Sequence, residues 1–218
     1  MTRNKIFILL TFLILISCNN KASDSKNKTE DFIVKETKTP KNFFQSSENA
    51  TLEKWIEYYK TSIDSDFTID KFEKISKNKL SKIQGNIYGI FDKEFDTTYT
   101  DFLIYSPNKQ NYVDIDSYQW ILDKENEILF DVDQEINLVN IPNKNIERIA
   151  FRGPMGWVED AYWKNDSTVV LLETTTDKVP IITQVNIYSN ESITFVYQDT
   201  LKKISKYSNE RIFGKLNN

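Results

Sequence analysis

The sequence predicts a mainly β domain, built as an antiparallel meander and preceded by one or two helices. Hydrophobic and polar residues alternate over most of the chain after residue 83, where β-branched and aromatic residues are frequent. Turn-forming pairs separate the alternating runs, and the connections are too short for a crossover helix. Between residues 51 and 63 the hydrophobic residues instead follow helical spacing. The pattern is compatible with three architectures: a blade-like sheet, a sandwich or a barrel.

Composition limits the chemistry available to the chain. It has 218 residues, a formal net charge of −4, no histidine, one cysteine and five glycines. These counts exclude a histidine-dependent catalytic triad, a Cys/His zinc site and a glycine-cradled phosphate loop. No basic surface is indicated, so we expect no nucleic-acid partner. No residue pattern indicates a cofactor.

The amino terminus has the pattern of a signal peptide. Arg3 and Lys5 precede an apolar run from Ile6 to Ile16. At about 1.5 Å per residue in a helix, this run covers about half of the hydrocarbon thickness of a bilayer. It is therefore too short for a permanent transmembrane helix, and we predict a signal peptide that is cleaved off.

The apolar run ends in Leu15-Ile16-Ser17-Cys18, which resembles the lipobox of bacterial lipoprotein precursors. In that family a signal peptidase cuts before the cysteine, whose sulfur carries a diacylglycerol and whose amino group usually gains another acyl chain such as palmitate. The resemblance implies a signal peptide over 1–17 and a membrane anchor on Cys18. Asn19 stands where the inner-membrane retention signal has Asp, which favours the outer membrane. The alternative is an ordinary secretory signal with a coincidental cysteine.

After the lipobox, residues 18–48 are rich in Lys, Asn, Ser, Thr and Glu, which is typical of a flexible tether. A single globular domain is predicted over 49–218. Together, the lipobox, the tether and this Tyr- and Asn-rich domain resemble outer-membrane lipoproteins of Bacteroidota-type bacteria. This second resemblance implies a lipid-anchored protein of the cell envelope and no particular activity.

Two helices are expected at the start of the domain. An amphipathic helix over 51–63, with Thr51 as N-cap, is predicted by the spacing of Leu52, Trp55, Ile56, Tyr59 and Ile63. We expect its aromatic residues to be core anchors. A second, shorter helix is suggested by Ile69, Phe72 and Ile75.

Strands are predicted over the rest of the chain. Their ranges are 84–91, 97–106, 111–115, 118–122, 127–131, 135–141, 146–152, 158–164, 168–174, 181–188 and 192–197. Similar hairpins recur about every 40 residues, which is the size of a propeller blade. The chain is too short for a closed propeller, and β meanders with polar turns resemble one another in any case.

Three carboxylates are weak candidates for a metal site. Asp131, Asp133 and Glu135 are spaced by two and would share one face of a continuous strand. An EF-hand is excluded because Ile136 stands where that loop needs glycine and Pro142 where it needs glutamate. A solvated turn is the default interpretation.

The segment 152–163 is the candidate ligand-binding site. Its glycines and proline indicate a tight loop, and Arg152, Trp157, Glu159 and Asp160 combine a flat apolar face with hydrogen-bonding groups. Strand alternation places Trp157, Glu159 and Ala161 on one face and Asp160 and Tyr162 on the other. Because Trp163 aligns with Trp157, a core role for the pair is the competing interpretation.

Three functions are compatible with these patterns. The first is a lipid-anchored, non-catalytic module that binds a protein or a glycan through the 152–163 segment. The alternative is a carboxylate-dependent envelope hydrolase, since glycoside hydrolysis needs only two acids. A barrel that carries an apolar ligand is the third and would need an internal cavity.

Overall fold

The computed structural model describes residues 49–217, so the predicted signal peptide, Cys18 and the tether lie outside the described residues. Within this range the chain is mainly β with antiparallel pairing, which confirms the predicted fold class. Helix α1 is Ala50–Tyr58, continued by a π-helical turn at Tyr59–Ile63, and helix α2 is Tyr207–Leu216. Short 3₁₀ helices lie at Ile69–Lys71 and Thr97–Phe102. The strands are β1 (Phe72–Lys79), β2 (Ile83–Gln84), β3 (Ile104–Tyr105), β4 (Asn111–Asp114), β5 (Trp120–Leu122), β6 (Ile128–Phe130), β7 (Gln134–Asn140), β8 (Asn145–Arg152), β9 (Gly156–Asn165), β10 (Thr168–Thr175), β11 (Ile181–Asn186) and β12 (Glu191–Tyr197).

The strands form two five-stranded sheets and one separate hairpin. The first sheet has the order β1-β12-β11-β10-β9, and the second has the order β2-β8-β7-β4-β3. Strands β9 to β12 follow one another as the predicted meander, with β1 added at its edge. Strands β5 and β6 pair only with each other, on an excursion between β4 and β7.

The two large sheets pack face to face, so the fold is a sandwich. Alternate residues of β10 show this directly, because Val169 and Leu171 pack with β4 and β7, whereas Val170 and Leu172 pack with α1. Each of these four side chains is fully buried. The first sheet therefore has two buried faces, one against the second sheet and one under α1.

The N-cap of helix α1 is two residues before the residue expected to cap it. Asn49 is the N-cap instead of the predicted Thr51. Its side chain accepts hydrogen bonds from the backbone N–H groups of the two residues Thr51 and Leu52. The predicted apolar face is confirmed, since Trp55 and Tyr59 are fully buried in the core beneath the helix. They contact Phe67 and Phe72 through a cluster of tilted and stacked rings.

The prediction of a second, shorter helix from Ile69, Phe72 and Ile75 is wrong. Its residues form the 3₁₀ turn at Ile69–Lys71 and then strand β1, in which Phe72 is buried and Ile75 is 62% exposed. The run is too short to stabilise a helix by itself, and β12 supplies backbone partners for an extended chain.

The observed secondary structure differs from the prediction in three further segments. The strand predicted over 84–91 is limited to β2, because the chain turns at Gly89 with a φ of +67°. Most of 97–106 is the 3₁₀ helix at Thr97–Phe102, which Asp96 caps through the N–H of Thr98. Helix α2 was not predicted.

Candidate functional site

A β-bulge in β9 decides where the acidic pair of the 152–163 segment points. Asp160 is opposite Leu172 and Val158 is opposite Glu173, so Glu159 is an extra residue between the two pairs. Such a bulge turns two successive side chains to the same side of the strand. Glu159 and Asp160 thus both face the helices, which corrects the predicted alternation that placed Glu159 with Ala161.

Glu159 is a fully buried carboxylate held by aromatic donors. Its Oε2 atom accepts hydrogen bonds from the indole N–H of Trp55 at 2.8 Å and from the hydroxyl of Tyr59 at 2.7 Å. Its Oε1 atom has no hydrogen-bond partner in the part of the chain that the structure describes. Burial raises the pKa of Glu159 to about 7, although the hydrogen bonds from Tyr59 and Trp55 oppose the shift.

Asp160 belongs to a network around Arg211 of helix α2. The hydroxyl of Tyr207 donates to Asp160 Oδ2 at 3.1 Å, and Arg211 Nε donates to the backbone oxygen of Glu159 at 2.8 Å. The guanidinium group also makes a two-pronged ion pair with Asp116, at 2.7 and 3.1 Å. Burial raises the pKa of Asp160, and the positive charge of Arg211 opposes this effect.

The ion pair between Arg211 and Asp116 is nearly enclosed. The side chains are 6% and 0% exposed, respectively. Asp116 Oδ1 also accepts the indole N–H of Trp120 at 2.9 Å. These contacts join α2 to the loop before β5 and to β9, so Glu159, Asp160 and Arg211 hold the fold together.

Arg152 makes a separate contact. Its Nε donates to Glu173 Oε2 at 2.6 Å, and the Glu173 carboxylate is 4% exposed. The four residues predicted to bind a ligand are therefore not gathered at one surface: Arg152, in the second sheet, pairs with Glu173 in the first, and Glu159 is buried among aromatic rings. Of the four, Trp157 and Asp160 each line one of two separate clefts.

Trp157 lines a cleft of about 210 Å³, which we call the Trp157 cleft. Its walls are formed by the start of β9 with the turn before it, the β5–β6 region up to the start of β7, and the first turn of α2. The lining residues are Gln119, Phe130, Asp131, Val132, Gln134, Gly153, Pro154, Gly156, Trp157, Ser208 and Asn209. Trp157 is half-buried, and Val132 is 72% exposed. The cleft therefore combines apolar surface with amide and carboxylate groups.

Two glutamines form a rigid floor for the Trp157 cleft. Gln134 donates to the backbone oxygens of Ile115 and Val158 and accepts from the N–H of Val158 at 2.7 Å. Its amide nitrogen also donates to Gln119 Oε1 at 2.9 Å. Both side chains are buried, so their positions are fixed before any ligand arrives.

Asp160 lines a larger cleft of about 550 Å³ between α1 and α2, which we call the α2 cleft. Its charged lining residues are Lys54, Asp160, Glu210, Arg211 and Lys215. Acids and bases therefore face the same space. This cleft was not predicted, because helix α2, which forms one wall, was not predicted.

The carboxylates considered as metal ligands do not converge. Glu135 forms an ion pair with Arg148, whereas Asp131 lines the Trp157 cleft and accepts the N–H of Asp133. Among residues 49–217, no group of three or more carboxylate or thiol side chains is placed to hold a metal ion.

Sequence reasoning identified Trp157 and missed most of the surface opposite it. Gln119, Phe130 and Val132 belong to the β5–β6 region, far from Trp157 in the sequence. The available signal was the apolar Ile128-Leu129-Phe130 run beside the exposed Val132, since a half-buried strand normally alternates with polar residues.

None of the helices between residues 49 and 217 has the length and apolar character needed to cross a membrane. No family model matches the chain, and no curated protein or solved structure is significantly similar to it. Function must therefore be argued from the geometry of the two clefts and from the sequence.

Proposed function

We propose that this protein is a lipid-anchored, non-catalytic binding module of the cell envelope. The Trp157 cleft is its binding site and takes part of a protein or a glycan. The observation that carries this proposal is the meeting of Trp157, Phe130 and Val132 above the fixed amides of Gln119 and Gln134. Flat apolar faces beside oriented polar groups suit both a sugar ring and a peptide.

Apolar exposure around the cleft supports a binding role. Phe130, Val132 and Met155 are 38%, 72% and 62% exposed; Phe130 and Val132 line the Trp157 cleft, and Met155 lies between two of its lining residues, Pro154 and Gly156. Grouped apolar side chains rimmed by acids are more typical of a contact surface than of ordinary solvated surface. The deeply buried Glu159 and Arg211 act in stability instead.

Binding is tested on glycan and peptide arrays with the mature chain carrying Cys18→Ala, which keeps it in solution. We expect Trp157→Ala to abolish the signal of any ligand that the parent retains. Val132→Arg changes an exposed side chain and should have the same effect without altering the fold. Tyr188→Ala, at an exposed position outside the cleft lining, is the matched control. Equal binding by all four proteins would overturn the proposal.

The anchor is tested by metabolic labelling with an alkyne fatty acid in a bacterial host. The lipobox predicts that the wild type takes the label and partitions with membranes, and that Cys18→Ala loses both properties together. A mutant that still partitions with membranes would show that residues 1–18 act in another way.

The alternative proposal, a carboxylate-dependent hydrolase, is favoured by one observation. Asp160 and Glu210 line the same α2 cleft, and burial raises the pKa of Asp160, as a general acid requires. Asp160→Asn and Glu210→Gln should each remove hydrolysis of dye-linked envelope polysaccharide while the far-ultraviolet spectrum stays unchanged. Activity that survives either change removes this alternative.

A further inference from the structure

The hairpin of β5 and β6 has one closed edge and one open edge. Asp123 N–H donates to Glu127 O at 3.0 Å, and Asp131 N–H donates to Gln119 O at 2.6 Å. Between these bonds, Trp120 is opposite Phe130 and Leu122 is opposite Ile128. In an antiparallel pair, bonded and non-bonded residue pairs alternate, so the main-chain groups of Ile128 and Phe130 point away from β5.

On the β5 side of this hairpin, the outward main-chain groups of Trp120 are bonded to other parts of the domain. The backbone oxygen of Trp120 accepts the hydroxyl of Tyr99, and its N–H donates to Asp116 O at 3.3 Å. Strand β6 pairs with β5 alone, and within residues 49–217 no group bonds to the outward main-chain groups of Ile128 and Phe130. This edge offers hydrogen bonds to an incoming strand.

Apolar side chains accompany the open edge on both faces of the hairpin. Leu129 and Ile121 are 49% and 57% exposed on one face, beside a shallow cleft of about 150 Å³. Phe130, 38% exposed, lines the Trp157 cleft together with Val132. An added strand would therefore present alternate side chains to two apolar surfaces, since strand side chains point to opposite faces in turn.

Acids flank the open edge at both ends. Glu125 and Glu127 precede the strand, Asp131 and Asp133 follow it, and no ion pair joins them to another described residue. Antiparallel pairing of two copies centred on Leu129 would place Glu127 of one copy beside Asp131 of the other. Like charges in such positions are repelled, so a second copy of this chain is disfavoured. Lysine or arginine at the ends of a partner strand would complement them.

We propose that the outer edge of β6 binds an extended peptide segment of another protein, apolar at alternate positions and basic at both ends. This inference rests on the proposed function, because the bound strand would deliver a side chain into the Trp157 cleft. It narrows that function from a protein or a glycan to a peptide recognised through its main chain.

The test uses a short synthetic peptide in which valine alternates with threonine between Lys-Arg ends. Calorimetry with the soluble mature chain should detect binding that is lost when the ends are changed to Glu-Asp. It should also be lost when alternate peptide nitrogens are methylated, because methylation removes main-chain donors without removing side chains. The Glu127→Lys and Asp131→Lys double variant should weaken binding by about tenfold. Glu73→Lys, an exposed charge change on the edge strand β1, is the matched control.

The outcomes distinguish peptide recognition at the outer edge of β6 from ligand binding in the Trp157 cleft. Equal binding of the methylated and parent peptides would overturn main-chain recognition, and absence of peptide binding would overturn the proposal outright. If the arrays show a Trp157-dependent glycan while the peptide does not bind, the proposed function stands and the peptide inference fails. Loss of the peptide in both Trp157→Ala and the double charge variant supports the two together.

Discussion

The indole N–H of Trp55 donates to the carboxylate of Glu159 at 2.8 Å, across 104 residues of sequence. This contact joins helix α1 to the bulge of β9 inside the core. A buried carboxylate is costly unless its hydrogen bonds are satisfied, and Trp55 and Tyr59 supply both bonds to Oε2. The attachment of α1 to the sheet therefore depends on polar contacts as well as on ring packing.

We predict that Glu159 makes the domain less stable as the pH rises from about 4.5 to about 7. Its folded pKa of about 7 lies above its ordinary value of 4.5, so the folded state holds a proton that the unfolded chain releases in this range. Over this range the free energy of unfolding falls by about 3 kcal/mol. Urea unfolding of the wild type and of Glu159→Gln at several pH values isolates this effect. If the difference between the two proteins does not change with pH, the prediction is wrong.

Trp55→Phe should destabilise the domain by about 1–3 kcal/mol. The ring still fills the core, but Glu159 loses one of the two donors to Oε2. Trp157→Phe is the control, because Trp157 is half-buried and its indole N–H has no hydrogen bond within residues 49–217. Thermal unfolding monitored by circular dichroism measures both. Equal losses in the two variants would show that the hydrogen bond is not the cause.

Arg211→Ala should lower the free energy of unfolding by about 3–5 kcal/mol, because it leaves the buried Asp116 without its countercharge. Arg211→Lys should recover only part of this loss, since one ammonium group cannot reproduce the two-pronged contact. Lys77→Ala breaks an exposed pair with Glu191 and should cost less than about 1 kcal/mol. Chemical denaturation ranks the three variants, and a small loss for Arg211→Ala would contradict the importance of the enclosed pair.

Gly214→Ala should stabilise the protein by about 1 kcal/mol. Gly214 lies inside helix α2, where alanine has the higher helix propensity, and a Cβ atom there would meet nothing within 4 Å. Gly89→Ala should do the opposite, because Gly89 has a φ of +67° and a Cβ would lie 2.3 Å from the backbone at Glu94. The sign of the two melting-temperature shifts checks this prediction.

The sequence predicted those elements whose period is regular over many residues. Helix α1 and the meander from β9 to β12 follow from helical spacing and from alternation, and both were recognised. Helix α2 was missed because its first turns are mostly polar and its last turn contains Gly214: after Tyr207, no apolar residue follows until Ile212. Strand β1 was mistaken for a helix because its partner, β12, lies more than a hundred residues away.

The candidate site was less accessible to sequence reasoning than the fold. Trp157 attracted attention through its unusual neighbours, but the side of Glu159 depends on a one-residue bulge that local alternation does not reveal. The partners of Trp157 come from another hairpin, and their proximity is set by how the sheets stack. Such long-range neighbours are not encoded in local spacing.

The pairing of Asp116 with Arg211 also bears on the order in which the protein is made. A ribosome produces Asp116 well before residues 207–216, so the growing polypeptide has this acid without the base that neutralises it. A finished interior must wait for that late segment, and a premature stop or a bulky fusion near residue 216 would impair maturation itself.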